Sequence, residues 1–314
     1  MAEMESKTLS WRVTLIYCLF WGHTLTAQQF QGEINTNIPR LPLVLDDAKF
    51  RPLTEQRDSD LETALRFEIN KQKRWAQLVN NQKMSIGLVD LRNPEVPKYA
   101  GVNENNMMYA ASLPKIAILL AAMDALDHGE LSNTPEIRRD LRLMISKSNN
   151  QASTRLIDLL GYEKIESVLT DERYNLYDQE HGGGLWVGKR YAKGGATNRE
   201  PLKNLSHAAT SFQVCRFYYM LAYGRLVSPE RSRQMLDYLE SPELHHKFVN
   251  TLDEVAPRAR IFRKSGTWQS YHSDSVLVWG QTRRYILVAL IDDADGEQII
   301  RNLILPVERA LNKN

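Results

Sequence analysis

The sequence predicts an α+β fold in which one antiparallel sheet is built from both ends of the chain, with an all-helical subdomain inserted between its strands. Strand patterns occur at Met84–Leu91 and again within 260–291, whereas nearly all signals between 134 and 254 are helical. Every residue of Ile116–Met123 is apolar, which indicates a helix buried on all sides. A sheet with helices packed on it provides the two layers that bury such an element.

The composition is that of an ordinary globular protein, with 314 residues of which 43% are hydrophobic and 25% charged. The formal net charge of +2 gives no reason to expect a nucleic acid or an anionic membrane as the main partner. We therefore expect a small molecule or a peptide as the ligand. We also expect the chain to work as a monomer and without a cofactor.

The first 27 residues are typical of a secretory signal peptide. Lys7 and Arg12 precede the apolar run Val13–Gly22, which is too short to span a bilayer, and a polar stretch then ends at Ala27. We expect cleavage near Ala27, export across the inner membrane to the periplasm, and no stable membrane anchor afterwards. An uncleaved anchor is the alternative.

A single cysteine, Cys215, remains after that cleavage, so the mature chain is expected to form no internal disulfide. It lies in the apolar run Phe212–Leu221, where no neighbouring charge would activate the thiol. We expect Cys215 to be buried and inert.

The order of the elements follows from hydrophobic periodicity and capping residues. Residues 28–53 are polar and proline-containing and form an extension, and Thr54–Asn80 is predicted as one amphipathic helix. We expect an α/β subdomain at 54–107 and 256–314, and a helical subdomain at 108–255 that begins with the buried helix. The other predicted elements are strands Lys98–Val102, Arg260–Lys264, Ser273–Trp279 and Tyr285–Ile291, and helices Pro135–Lys147, Gln151–Leu160, Ser206–Leu226, Ser228–Glu240 and Glu297–Leu311.

A tetrapeptide with reactive side chains, Ser112-Leu113-Pro114-Lys115, stands at the start of the buried helix. The unpaired N–H groups of a helix start favour negative charge developing on Ser112. The three-residue spacing puts the Lys115 amine on the same face, and partial burial would lower its pKa until it could accept the serine proton. The alternative is an N-cap serine followed by a lysine that reaches solvent.

Two further motifs accompany this pair. Ser148–Asn150 falls at the junction of two predicted helices, and Lys264–Thr267 falls in a late strand, where Gly266 permits close backbone approach to a ligand. Alone, the first could be a helix cap and the second a bulged surface strand. All three motifs in this order are a conjunction that chance rarely supplies.

With S-x-x-K, S-x-N and K-[ST]-G in this order, the chain resembles the penicillin-recognising serine hydrolases, and most closely the class A β-lactamases, from about Thr54 to Leu311. The resemblance implies an enzyme that opens β-lactams through an acyl-serine intermediate, with no metal. It also implies a role for each motif residue.

Ser112 would be the nucleophile and Lys115 its proton acceptor, according to this resemblance. Ser148 would relay a proton to the leaving nitrogen, and Asn150 would contact the substrate's side-chain amide. The late-strand motif would contact the substrate's carboxylate through Lys264, Ser265 and Thr267, with Gly266 between them. The N–H groups of Ser112 and Thr267 would form the oxyanion hole.

Two departures from that family are visible. Ser112 and Ser148 are only 36 residues apart, which predicts a more open cleft. The family's E-x-x-L-N loop motif, whose glutamate activates the deacylating water, is not recognisable within the glycine-rich stretch Thr170–Asn204, which we expect to be a functional loop, with a disordered insert as the alternative. Glu180 is the candidate for that base, and Glu172 and Glu200 are the other carboxylates available. We interpret the histidines as surface or structural residues; they are His128, His207, His245, His246 and His272.

Three functions are compatible with this pattern. The first is an exported β-lactamase-like hydrolase, and the second is a penicillin-binding peptidase or esterase that turns β-lactams over slowly. The third is a non-catalytic module that binds a cell-wall fragment or a protein partner in the same cleft. The intact triple motif argues against the third, and the missing loop glutamate is what separates the first two.

Overall fold

The computed structural model describes residues 38–192 and 194–313; the predicted signal peptide lies outside them. The helices of this part are α1 (Ser59–Asn70), α2 (Lys73–Asn80), α3 (Lys115–Asp127), α4 (Pro135–Ser146), α5 (Asn150–Leu160), α6 (Tyr162–Thr170), α7 (Ser211–Ala222), α8 (Pro229–Leu239), α9 (Phe248–Val255) and α10 (Gly296–Asn312). Its strands are β1 (Met84–Asp90), β2 (Lys98–Val102), β3 (Met108–Tyr109), β4 (Tyr177–Asp178), β5 (Gly183–Gly184), β6 (Trp186–Val187), β7 (His207–Ala209), β8 (Arg260–Trp268), β9 (Tyr271–Trp279) and β10 (Arg284–Asp292).

The main sheet has the strand order β2-β1-β10-β9-β8, with antiparallel neighbours throughout. The predicted α+β fold, with a sheet assembled from the two chain ends, is thus confirmed. Strand β8 lies at the edge and is longer than the predicted Arg260–Lys264, so all of Lys264–Thr267 belongs to it.

Alternation along the central strand β10 divides the core between the two faces of the sheet. Ile286, Val288 and Leu290 pack into a cluster with the helical block, whereas Leu287 and Ala289 pack into a second cluster with α1 and α10. Successive side chains of a strand point to opposite faces, so a continuous apolar strand requires helices on both.

The buried helix is confirmed as α3, because each residue of Ile116–Met123 is at most 1% exposed. Ser112 lies in the turn before it, where the Lys115 N–H donates to Ser112 O (3.3 Å). The residue ahead of the serine, Ala111, has a φ of 49°, which is costly for a residue with a side chain.

Two helix predictions were wrong in detail. Thr54–Asn80 is not one helix, because the extended backbone at Gln72 separates α1 from α2. Residues Ser206–Leu226 do not form one helix either. Strand β7 comes first, and Thr210 then caps α7 by accepting a hydrogen bond from Gln213 N (3.2 Å). A β-region cap with its side chain on the third residue stops a helix from extending backwards.

The stretch between α6 and α7 is an ordered loop. It contains β4, β5 and β6, and β6 pairs with β7, which in turn pairs with β3. The described residues of this loop are thereby fixed beside the turn that carries Ser112 and do not form a disordered insert. Cys215 is buried as expected. In the described ranges no helix has the length and apolar character required to cross a bilayer.

Candidate active site

A cavity of about 630 Å³ opens beside Ser112. The three motifs Ser112–Lys115, Ser148–Asn150 and Lys264–Thr267 are here called the motif wall; Ser112, Asn150 and Thr267 line the cavity, whereas Lys115 and Lys264 are buried and do not. The segments Lys189–Ala192 and Leu205–His207, which also line it, are called the loop wall. The lining residues in the described part of the chain are Tyr109, Ala111, Ser112, Asn150, Lys189, Arg190, Tyr191, Ala192, Gly194, Leu205, Ser206, His207, Thr267, Trp268 and Tyr271.

Gly266 allows the turn of Ser112 to lie directly against strand β8. A β-carbon at Gly266 would stand 2.5 Å from Ser112 N, 2.8 Å from Leu113 N and closer still to Ala110 O. Real β-carbons do not approach backbone atoms so closely, so only glycine fits here. The contact places the backbone N–H of Ser112 beside the strand end that carries Thr267, as an oxyanion hole made from these two residues requires.

The Lys115 side chain is fully buried and reaches across to the second motif. Its Nζ donates to Ser148 O (2.7 Å), to Asn150 Oδ1 (2.8 Å) and, at a longer 3.3 Å, to Ser148 Oγ. Burial lowers the pKa of Lys115 to about 7, and the described residues provide no carboxylate partner that would offset this effect. Near neutral pH much of this amine is therefore unprotonated and able to accept a proton.

Ser148 lies between two amines. Its Oγ accepts from Lys264 Nζ at 2.9 Å as well as from Lys115 Nζ, and its backbone has a φ of 54°. A hydroxyl that accepts from two amines can direct its own hydrogen elsewhere, so Ser148 is placed to pass a proton. The strained backbone is what brings both its carbonyl and its hydroxyl to Lys115.

Lys264 is buried within strand β8 and also donates to Ser265 O (2.9 Å). Burial lowers the pKa of Lys264 well below its usual value, and the neighbouring Lys115 lowers it further. Ser265 is likewise buried, whereas Thr267 is exposed to the cavity. The three motifs, which are far apart in sequence, thus lie together at one place in the structure.

The candidate loop bases do not lie in the cavity. Glu180 is exposed in a turn, where its N–H donates to Asp178 Oδ1 (3.0 Å), and Glu172 is also exposed. Glu200 is buried and accepts from three backbone N–H groups and from Tyr177 OH, so its carboxylate stabilises the loop in which it lies. Glu166 accepts from Asn198 Nδ2 at 2.6 Å. Within the described residues that line the cavity there is neither an aspartate nor a glutamate.

Two aromatic rings of the loop wall, those of Tyr191 and His207, lie in the cavity lining. Tyr191 donates its hydroxyl hydrogen to Ala111 O (3.2 Å), and its ring lies 4.5 Å from Lys115 Nζ. It packs on His207 with 4.2 Å between ring centroids. Burial lowers the pKa of His207 to about 4, so the imidazole is neutral, and its Nε2 contacts Lys189 O (2.9 Å). His207 therefore holds the loop wall in place, and sequence motifs indicated neither ring.

The described residues contain no grouping of histidine, cysteine, aspartate and glutamate suited to a metal ion. Fold and site together define the class of this protein as a penicillin-recognising serine hydrolase. The chain matches the sequence model of the Beta-lactamase enzyme family over residues 70–140 and 132–314, and it belongs to that family. It is accordingly a β-lactamase-like hydrolase.

Solved structures show the same fold at low sequence identity. A β-lactamase from Sphaerobacter thermophilus is 20% identical (TM-score 0.59; 76% of this chain and 95% of that chain covered). A point mutant of PBP-A, solved as an acyl-enzyme complex with penicillin G, is 18% identical (TM-score 0.61; 84% and 100%). A β-lactamase from Xanthomonas campestris is 15% identical (TM-score 0.60; 80% and 97%). No curated protein sequence matches the chain significantly.

Proposed function

We propose that this protein is an exported serine hydrolase that β-lactams acylate on Ser112 and that releases the acyl group slowly. The observation that carries the proposal is the fully buried Lys115, whose pKa is lowered to about 7 and which reaches Ser148 and Asn150 from beside the serine turn. A neutral amine at this place is a base for a serine hydroxyl.

In the acylation step, Lys115 takes the proton of Ser112 Oγ as that oxygen attacks the lactam carbonyl carbon. The carbonyl oxygen becomes an oxyanion, which the N–H groups of Ser112 and Thr267 stabilise. The C–N bond of the ring then breaks, and the leaving nitrogen receives a proton through Ser148, whose Oγ is within reach of both amines. The product is an ester on Ser112, and the Lys115 amine is ready to act again.

Hydrolysis of that ester needs a base that can deprotonate water on its open face. The described residues lining the cavity include no carboxylate, and Tyr191 is a poor substitute. Burial raises the pKa of Tyr191 well above its usual value, and its hydrogen is committed to Ala111 O. We therefore expect acylation to outrun deacylation.

The natural substrate under this proposal is a β-lactam or an acyl compound of similar shape, such as a cell-wall peptide or an ester. A carboxylate on the substrate would meet Lys264, Ser265 and Thr267, and a side-chain amide would meet Asn150. Slow deacylation would make β-lactams act as inhibitors of a peptidase or an esterase.

Export to the periplasm is part of the proposal, and it is supported by the signal-like pattern of residues 1–27. We expect a mature chain that begins near Gln28, has no stable membrane anchor and is a monomer. Amino-terminal sequencing of the protein recovered from the periplasm tests the cleavage, and light scattering tests the oligomeric state.

The decisive experiment is intact-protein mass spectrometry after brief and long incubation with benzylpenicillin. We expect one equivalent of adduct within the burst, located on Ser112, followed by slow loss of the adduct on dilution. Fast steady hydrolysis without a burst or an adduct would show efficient deacylation. A chain that never forms an adduct and never hydrolyses the drug would instead indicate the non-catalytic binding module.

A further inference from the structure

A third buried lysine without an ion pair, besides Lys115 and Lys264, lies directly behind the strand end that faces the cavity. Lys247, the residue before α9, has no exposed surface, and the described residues supply no carboxylate within salt-bridge distance of its amine. Its Nζ instead donates to Gly266 O (2.5 Å), Thr267 Oγ1 (2.8 Å) and Ser273 O (3.0 Å). Three hydrogens meet three oxygens, so the ammonium group is fully used.

The backbone at Lys247 is strained in order to deliver this amine. Its φ of 56° and ψ of −127° lie in a region that residues with a side chain rarely adopt. Strain of this kind persists where the surrounding structure requires it, and it concentrates at functional sites. Of the two acids whose charges act on Lys247, Asp274 and Glu297, the first accepts from Arg263 Nε (2.7 Å) and Phe248 N (3.1 Å).

The hydrogen bond from Lys247 to Gly266 O also affects the proposed oxyanion hole. In a trans peptide unit the C=O and the following N–H point in opposite directions, so the ammonium at Gly266 O, together with Ser273, which pairs with Gly266 in the sheet and donates from Oγ to the same oxygen (3.3 Å), sets the direction of the Thr267 N–H. A cation on the carbonyl also polarises the peptide unit and makes that N–H a stronger donor. The contact thus acts on the same N–H to which the proposed mechanism assigns the oxyanion.

The contact with Thr267 Oγ1 acts on a second donor. An ammonium group only donates, so the hydroxyl accepts from Lys247 and must direct its own hydrogen elsewhere. Thr267 is exposed and lines the cavity with Ser112, so that hydrogen is available to a substrate oxygen. Without Lys247 the hydroxyl could turn its hydrogen back towards the carbonyls behind it.

We propose that Lys247 is a positioning residue for acylation: from behind strand β8 it aims the Thr267 N–H at the oxyanion and the Thr267 hydroxyl at the carboxylate of the substrate. The inference rests on the proposed acylation of Ser112 and adds a residue outside the three motifs. Burial lowers the pKa of Lys247 to about 8, with Asp274 acting in the opposite direction, so the amine remains mostly charged at pH 7.

The test compares two probes that differ in a single group, benzylpenicillin and its methyl ester, by the second-order rate constant for Ser112 labelling at pH 7. Lys247→Met keeps the bulk of the side chain and removes the ammonium. We expect this rate constant to fall about tenfold with the ester, which is the scale of one hydrogen bond, and about a hundredfold with the acid. In a Thr267→Val background the loss with the acid should shrink to that with the ester, because the hydroxyl is already absent.

Lys164→Met is the matched control, because Lys164 pairs with Asp124 and Glu130 at 2.7 Å and does not line the cavity. It should lower the melting temperature and leave both rate constants unchanged. Folded Lys247→Met protein with wild-type rates for both probes would overturn the proposal. So would an acid-specific loss that persists in the Thr267→Val background.

An NMR measurement on the free protein tests the role of Lys247 without requiring acylation. The amide proton of Thr267, observed by NMR, should shift upfield in Lys247→Met as the peptide unit loses its cation, and an unchanged shift would contradict the proposal. If neither probe labels the wild-type protein while the amide proton does shift, the acylation proposal fails and the positioning of Thr267 stands.

Discussion

The two walls of the cavity differ in the chemistry they offer. The motif wall is built of amines held against hydroxyl and carbonyl oxygens, with Lys115 and Lys264 both within reach of Ser148 Oγ. The loop wall presents the rings of Tyr191 and His207, which pack on each other, together with Lys189 and Arg190, and its described residues include no carboxylate. Acylation requires a base beside the serine, whereas hydrolysis requires a base that faces the incoming water. The motif wall contains the amine of Lys115 as the base for acylation. The described residues of the loop wall include no carboxylate that could act as the base for hydrolysis.

Removal of the nucleophile should have the largest effect. Ser112→Ala should abolish covalent labelling by benzylpenicillin, because no other hydroxyl occupies the turn beside Gly266. The first helical residue of α3 is Lys115, and its cap is Pro114 without a side-chain bond, so the free energy of unfolding should change by only about 0.5 kcal/mol. Intact mass and thermal unfolding measure the two quantities. Labelling of the variant at the wild-type level would remove Ser112 from the mechanism.

Removal of the base should reduce acylation by about 10²–10⁴-fold. Lys115→Met keeps the apolar part of the side chain. Burial lowers the pKa of Lys115 to about 7, and its neutral form is the reactive one, so acylation by the wild type should rise with pH through about 7. The variant should lack this rise. If both proteins show the same pH profile, another group supplies the base.

Gly266→Ala tests the contact between the serine turn and strand β8. The new methyl group would meet backbone atoms of Ala110, Ser112 and Leu113 at 2.8 Å or less, and backbone atoms cannot yield locally. We expect acylation to fall by about a hundredfold, the scale of one oxyanion-hole donor, together with a lower melting temperature. Gly194→Ala is the control, since it adds a methyl group elsewhere on the cavity lining, where no atom of the described residues lies within 4 Å. Equal behaviour of the two variants would argue against a fitted contact.

Lys264→Ala should separate two classes of substrate on the motif wall. The proposed partner of its cation is the substrate carboxylate, which is remote from the breaking bond. We therefore expect kcat/KM for benzylpenicillin to fall about tenfold more than for a neutral ester of similar reactivity. An equal loss with both substrates would assign Lys264 a general role through Ser148, to which it donates at 2.9 Å.

Glu180→Gln should have the smallest effect, and it tests whether the loop wall lacks a base. Glu180 is exposed and does not line the cavity, so we expect neither the burst nor the slow release of the acyl group to change. Stopped-flow and steady-state rates with benzylpenicillin measure both phases. Slower release with an unchanged burst would show that the loop moves its carboxylate into the site.

Much of the fold was predictable because its patterns are local. A run of eight apolar residues indicates a buried helix wherever it occurs, and alternation indicates a strand. The helix predicted at Ser206–Leu226 was wrong because Ser206 is a plausible capping residue and Ala208 and Ala209 are strong helix formers. Only the pairing of β7 with β3 and β6 makes them a strand. Propensity over three residues is weak compared with two neighbouring strands.

The residues assigned to the proposed reaction could be named from the sequence alone, since Ser112 and Lys115 are neighbours along one turn and the other motifs have distinct patterns. Their surroundings depend on the tertiary structure. In the proposed mechanism Lys115 is a base because burial removes water from its amine and Ser148 is brought to it from 33 residues away. The same packing aligned Tyr191 with Lys115 and Lys247 with Thr267. Contacts across such distances depend on how whole elements pack, and no local pattern encodes them.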